Sequence, residues 1–456
     1  MSTGPTPTVD GAGPPAVLTL PTLADGTELV GEFKNSGYRE PPQLVSLPNR
    51  QLVRLPPLLF HVVKALHEHR HLAGTADVET ALDRVADAAS REAGARLTGE
   101  QIVYLVDRKL APLGVTTYSD GTAPPVVKAN PFLGLKFKVA VIPESVSSLL
   151  GGMFAWLLSP FAIIPVLAAL VVSEVWVFTS RSVVDALQLT IVNPVGILMI
   201  MGLGLLSVAF HEVGHAAACR YGGVKPGVMG FGIYVVWPAF YTDITESYRL
   251  GRGGRLRADL AGVYFNGVFI VALTLLYLQT GYEPLLVALL YVNLEILQQL
   301  LPTMRFDGYY IMSDLAGIPD LFKYIKPILR RTLLRRPPDA LLRDLKRWPQ
   351  VFVAFWVLAV FPVMILQLSL IAYRVPELLA LAWGKVRRLI EDAVAGGDPL
   401  ALVIALLQTL MIVLPVAGLV LILYSVGRSL TRWAVRSVRK PAPPGKGPAA
   451  GPVPDA

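Results

Sequence analysis

The chain has 456 residues, 53% of them hydrophobic and only 16% charged; soluble domains carry about a quarter charged residues, so an ordinary water-soluble globule is excluded. The formal net charge of +8 does not point to nucleic acid, because the basic residues lie beside long apolar runs, where charge sets membrane topology. A single cysteine, Cys219, excludes an intrachain disulfide and a Cys-x-x-Cys metal site.

Taken in chain order, residues 1–28 and 439–456 are rich in Pro, Gly and Ala and read as disordered tails. Met1 to Leu18 has neither a basic n-region nor an apolar core, so no cleavable signal peptide is expected and the first apolar run acts as the anchor. Residues 29–127 read as a small domain. Gln43–Leu47 and Gln51–Leu55 are predicted strands joined by a turn at Pro48–Asn49. Pro57 opens a first helix, a second runs from about Asp77 to Ala93, and a third starts at Thr98. Thr98 and Gln101 have capping-box spacing, and that helix ends near Leu113–Gly114. This order predicts a winged-helix-like α+β domain in the cytosol. Lys64 and Arg70 sit among Glu68, Glu79, Asp83 and Asp87, so no nucleic-acid partner is expected. Residues 128–148 are assigned to a linker, announced by the Pro-containing stretch Gly121 to Pro131.

Residues 149–438 read as the transmembrane domain. A span needs about 20 apolar residues, and six are predicted: Leu149–Phe178, Ile191–Ala218, Leu260–Gln279, Leu285–Leu301, Val351–Tyr373 and Leu400–Val426. With both termini cytoplasmic, the basic loops Arg220–Arg257 and Lys323–Arg347 and the tail after Arg428 all fall inside. The exception is Arg374–Asp398, placed outside as an interfacial amphipathic helix despite Lys385, Arg387 and Arg388. Gly230 to Pro238 is apolar, glycine-flanked and too short to cross, and reads as a re-entrant β-like segment. The predicted fold is therefore mostly α: a polytopic membrane protein of about six transmembrane helices and a re-entrant segment, preceded by the winged-helix-like domain.

The second span ends in His211-Glu212-Val213-Gly214-His215. Residues four apart share a helix face, so both imidazoles can bind one metal, and Glu212 beside them can take a proton from metal-bound water. Ionisable groups at membrane depth are costly and mark function. Zinc needs a third protein ligand, and the remaining histidines, His61, His67, His69 and His71, are all in the amino-terminal domain. A carboxylate is therefore expected: Asp307, just past the fourth span, is favoured, with Glu295 inside that span as the competitor. Glu295 reads instead as a groove-lining group with Asn293, Gln298 and Gln299.

His211–His215 followed by Pro302-x-x-x-x-Asp307-Gly308 resembles the site-2-protease family of intramembrane zinc metalloproteases. Arg305-Phe306-Asp307-Gly308-Tyr309-Tyr310, Ser313-Asp314-Leu315 and Gly317-Ile318-Pro319 narrow the resemblance to the peptide zinc metalloprotease branch, whose members accompany bacterial peptide-modification and export systems. The similarity covers roughly Gly204 to Leu321. It implies one Zn2+ per chain held by His211, His215 and Asp307, Glu212 as general base, and a strand at Gly230 and Gly232 that pairs with extended substrate. Two positions depart from the family pattern. Gln299 stands where Asn is usual, and Gly262-Val263-Tyr264-Phe265-Asn266 lacks the proline of Gly-Pro-x-x-Asn, though Asn266 remains to hold the substrate backbone.

The expected function is hydrolysis of a peptide bond in a membrane-associated or leader-bearing peptide at a bacterial plasma membrane, alongside an exporter or modification enzymes. The competing readings are a catalytically idle peptide-binding chaperone or immunity protein, and a transporter-associated component.

Overall fold

The computed structural model describes residues 18–74, 77–124, 135–180, 186, 190, 194–234, 237–302, 304–396 and 399–438. The tail segments 1–17 and 439–456 and the stretch 125–131 lie outside the described residues. The described residues divide into two compact units. The larger lies within Met1–Gly134, Lys138–Gly232 and Phe240–Ile365, the smaller within Leu135–Phe137, Ile233–Ala239 and Leu366–Ala456.

The larger unit opens with strands β1 (Glu28–Glu32), β2 (Gln43–Ser46) and β3 (Leu52–Leu55), antiparallel in the order β1-β2-β3 with Val45 opposite Val53. Strand β1 goes beyond the sequence expectation: it is bounded by glutamates, and its register shifts near Gly31, whose φ is +96°. Helix α1 (Pro57–Glu68) starts at a proline, which suits a first turn whose N–H groups have no partner. Helix α2 (Val78–Ala93) is capped by the Asp77 carboxylate on Thr80 N–H and stopped by left-handed Gly94. Helix α3 (Gly99–Leu105) carries the full capping box between Thr98 and Gln101. It continues through a π turn and a 3-10 turn to Gly114, where the sequence places its end. The apolar faces of these helices meet the sheet over Val45, Leu55, Val63, Leu66, Val85, Ile102 and Val106, all buried.

The described part of residues 128–148 is not an open linker. It contains strand β4 (Leu135–Ile142) and the start of helix α4 (Glu144–Phe154). The first predicted span is also corrected. A 3-10 turn at Ala155–Leu158 follows α4, and a new helix, α5 (Pro160–Ser180), begins at Pro160. Proline has no N–H to continue the preceding helix but fits the first turn of the next. Helices α6 (Pro194–Tyr221), α7 (Arg252–Thr280) and α8 (Pro284–Leu300) follow, with β5 (Met229–Tyr234) and β6 (Trp237–Thr242) between α6 and α7. The predicted re-entrant segment is thus two strands, in a sheet of order β4-β5-β6. Short helices α9 (Asp307–Ala316), α10 (Ile325–Leu333) and α11 (Ala340–Arg343) lead to α12 (Arg347–Gly396) and α13 (Pro399–Val438).

Among the described residues, four helical segments are long and apolar enough to cross a membrane: Pro160–Thr179, Val195–Tyr221, Arg252–Thr280 and Arg347–Gln367. Six were expected. Helix α8 has 17 residues, about 25 Å, against a hydrocarbon core of about 30 Å. The sixth predicted span lies in α13, in the smaller unit. Arg374 to Gly396, expected as a separate interfacial helix, continues α12 without a break.

Candidate metal centre

The site is built on α6, where an apolar helix turns polar at its last turns. His211, Glu212 and His215 are all buried. Their faces are crowded by α7, and Gly214 is what allows the approach: a Cβ there would stand 2.6 Å from the Ala261 carbonyl oxygen. On α7, Gly262 lies under the imidazoles themselves, where a Cβ would stand 2.6 Å from His211 Cε1 and from His215 Nε2. The two rings pack edge to face with centroids 4.9 Å apart.

Asp307, the first residue of α9, closes the group. Its Oδ2 is 3.0 Å from His211 Nε2 and 3.5 Å from His215 Nε2, and the two Nε2 atoms are 3.2 Å apart. Three ligands around tetrahedral zinc, with bonds of about 2.0–2.1 Å, are separated by about 3.3 Å. The three donor atoms therefore already stand near three corners of such a tetrahedron. His215 Nδ1 is 2.7 Å from the Ala258 carbonyl oxygen. A carbonyl only accepts, so Nδ1 carries the proton and the Nε2 lone pair faces the other two donors. Asp307 Oδ2 is buried with no hydrogen bond of ordinary geometry. Among the described residues, His211, His215 and Asp307 form the group of His, Cys, Asp or Glu able to hold a metal ion, and the donor set is the hard and borderline mixture that suits zinc.

Glu295, the competing carboxylate, sits elsewhere. It faces Ser207 and Asn266: Ser207 Oγ is 3.2 Å from Glu295 Oε2 and 3.4 Å from Asn266 Oδ1. Ser207 precedes His211 by one helical turn, so this polar cluster lies one turn from the metal-binding group. Glu295 Oε1 and Asn266 Nδ2 are buried without a hydrogen bond of ordinary geometry. Asn293, grouped with Glu295 in the sequence reading, turns away and donates to Glu174 on α5 at 3.1 Å. Gln299 is half-buried one turn beyond Glu295.

Gly230 and Gly232 lie on β5, the middle strand of its sheet. The Val139–Ala140 backbone of β4 fills the space in front of Gly230. Both edges of β5 are thus taken within the chain, and an added peptide strand is left the outer edges of β4 and β6. Thr242, at the end of β6, donates to the Glu212 carbonyl at 3.0 Å and ties that strand to the metal-bearing helix.

Sequence reasoning did not single out Ser207, Thr242, Ala258 or Gly262. The spacing of Ser207 from His211 was a usable signal; Ala258 acts through its backbone carbonyl and Gly262 through its lack of a side chain, while the Thr242 hydroxyl reaches Glu212 only through tertiary packing.

No family model matches the chain, and no solved structure matches it. Among curated proteins it is similar to the one named "Putative peptide zinc metalloprotease protein YydH" of Bacillus subtilis (strain 168), 30% identical over 122 residues. That stretch is 26% of this chain and 48% of the relative, so the chain spans about half the length of the curated relative it matches. The chain is similar over that stretch to a protein named as a putative peptide zinc metalloprotease, and it carries a group of two buried histidines and the half-buried Asp307 fit to take a metal ion.

Proposed function

We propose that this chain is an intramembrane zinc metalloprotease that hydrolyses a peptide bond in a membrane-associated or leader-bearing peptide. The observation that carries the reading is the convergence of His211, His215 and Asp307, which span 96 positions from 211 to 307, on one point beside the buried Glu212. The name of the relative supports it. In this reading the apolar helices lie in a bacterial plasma membrane with both termini in the cytosol, and residues 29–127 form a cytosolic domain.

Zinc, when bound, supplies a Lewis acid and a water of lowered pKa. The chain supplies the rest. The Ala258 carbonyl holds the His215 ring in one tautomer. Glu212 takes a proton and passes it to the leaving amine. The Asn266 amide and the Glu295 carboxylate, which face each other one turn from the histidines, offer a donor and an acceptor that could re-pair with the carbonyl and N–H of a peptide backbone. The surrounding apolar helices keep bulk water out, which strengthens each of these contacts. A helical substrate has no free backbone groups, so it must unwind or arrive extended, and the outer edges of β4 and β6 suit an extended strand.

The test uses the detergent-purified full chain. We expect about one zinc per chain, lost in His215→Ala and Asp307→Ala. Glu212→Gln keeps its zinc and cleaves no peptide that the unmodified protein cleaves. Folded protein without zinc would leave a membrane peptide-binding protein and sink the protease reading.

A further inference from the structure

Helix α9 carries two aspartates seven residues apart, Asp307 and Asp314. Seven residues are two turns, so both project from one face, separated by about 10 Å along the axis. That face packs on α7. On α7, Arg255, Asp259 and Gly262 likewise share one face at spacings of four and seven. The two faces match in order. Gly262 lies under the imidazoles that meet Asp307, and Arg255 meets Asp314, its Nε donating to Asp314 Oδ1 at 2.8 Å. Asp259, between them on α7, is in hydrogen-bond contact with Asp314.

The Arg255 side chain is fully buried, which is rare for arginine unless its charge and donors are met. Besides Asp314, its Nη1 donates to the Leu250 carbonyl at 2.9 Å and to the Lys34 carbonyl at 3.1 Å. Its guanidinium lies over the Phe33 ring, 4.4 Å from the centroid. Lys34 and Phe33 belong to the loop after β1, so the amino-terminal domain reaches the ion pair directly.

The same loop clasps the other end of α9. Gly317 ends the helix with φ +68°, and its carbonyl accepts from Gly37 N–H at 2.9 Å. The Gly37 carbonyl in turn accepts from Lys346 N–H at 2.9 Å, and Lys346 Nζ donates to the Ser36 carbonyl at 3.0 Å. The two glycines meet backbone to backbone: a Cβ on Gly317 would stand 2.6 Å from Gly37 N. Helix α9 is therefore fixed in its last turn by Arg255 and just beyond its end by residues 33–39, while its first residue is Asp307. A ten-residue helix moves as a rod. A metal ligand tolerates about 0.5 Å of misplacement, so whatever fixes Asp314 and Gly317 fixes Asp307.

We propose that Asp314 is a positioning residue for the metal ligand Asp307, locked in register by Arg255 and by the Phe33–Arg39 loop, which makes the amino-terminal domain a structural part of the metal centre. The proposal rests on the metal-centre reading above. It assigns a role to the Ser313-Asp314 and Gly317 motif positions that the proposed chemistry leaves unused.

The test is zinc affinity of the full chain, by competition with a chromophoric chelator, together with the visible absorption of the cobalt(II)-loaded protein. Asp314→Asn is expected to weaken zinc binding by about 10–100-fold, the usual range for a residue that supports a ligand, and to shift the cobalt bands, with Asp314→Glu restoring part of both. Gly37→Ala, whose methyl would press on the Ala316 carbonyl, is expected to do the same more weakly and serves if Asp314→Asn does not fold. Val85→Ala, in the amino-terminal core and away from the loop, should lower the melting temperature and leave cobalt bands and affinity alone. Unmodified protein that binds zinc, with folded Asp314→Asn and Gly37→Ala binding it equally and giving the same bands, overturns this proposal and leaves the metal centre standing. Unmodified protein that binds neither metal overturns both.

Discussion

Gly262→Ala adds one methyl at the point where α7 passes under the two imidazoles. The new Cβ would stand 2.6 Å from His211 Cε1 and His215 Nε2, about 0.8 Å inside the 3.4 Å where ordinary contact begins. Helix α7 cannot back away cheaply, because it is seated on α6 through Gly214 and the Ala261 carbonyl. The rings must yield instead. Overpacking of this kind costs about 1–3 kcal/mol, and the gain in helix propensity returns about 1 kcal/mol, so the fold should survive with a modest loss. The metal site should not. A ligand misplaced by about 1 Å costs on the order of 100-fold in rate, and comparable disturbance of a ligand's support costs about 10–100-fold in metal affinity. The assay is zinc competition and thermal unfolding of the full chain, with Gly202→Ala on α6 as the matched control, since a Cβ there meets nothing within 4 Å. The control should bind zinc normally and be no less stable. Gly262→Ala protein that is folded and holds zinc as tightly as the control would refute the packing argument, and with it the placement of the histidines against α7.

Two further outcomes separate the roles assigned above. Glu295→Gln should keep its zinc, because the Glu295 carboxylate bonds to Ser207 and Asn266 and is not one of the three converging donors. Its kcat/KM should fall about tenfold or more, the worth of one charged hydrogen bond, and loss of zinc would instead make Glu295 a ligand. In the amino-terminal domain, Glu92 accepts from Lys64 and contacts His61, and these partners hold its carboxyl below the usual range. A depressed carboxylate contributes stability above its ordinary pKa and loses it as pH falls through the lowered value. Melting temperature against pH should therefore drop less steeply on the acid side in Glu92→Gln, and an unchanged acid limb would contradict the assignment.

The local part of the fold was legible because its signals are local. The Thr98–Gln101 box, the Pro57 start and the Gly94 and Gly114 stops each act within one turn of the helix they bound. Counting apolar residues through Pro160 merged two helices into one span, a signal that was present and outweighed. Strand β4 was hidden for a different reason: it pairs with residues about 90 positions away, and nothing in Leu135–Ile142 announces that partner. The two histidines could be paired from their spacing alone. Asp307 could be favoured over Glu295 from the lack of a further histidine and its place past the fourth span, and the motif resemblance supported it, but the approach of α9 to α6 depends on tertiary packing. Arg255 looked like one more topology-setting charge, and its burial against Asp314 shows that a basic loop residue can instead be internal.

The acceptor that orients His215 is a main-chain carbonyl rather than a carboxylate side chain. An orienting aspartate can be lost by one codon change; the oxygen of residue 258 is present whatever the side chain. Mutational vulnerability therefore shifts from the position that makes the hydrogen bond to those that set the height of α7 against α6, Gly214, Ala261 and Gly262. Sequence variation that abolishes the tautomer should accumulate as added volume at the helix crossing, with both histidines still in place.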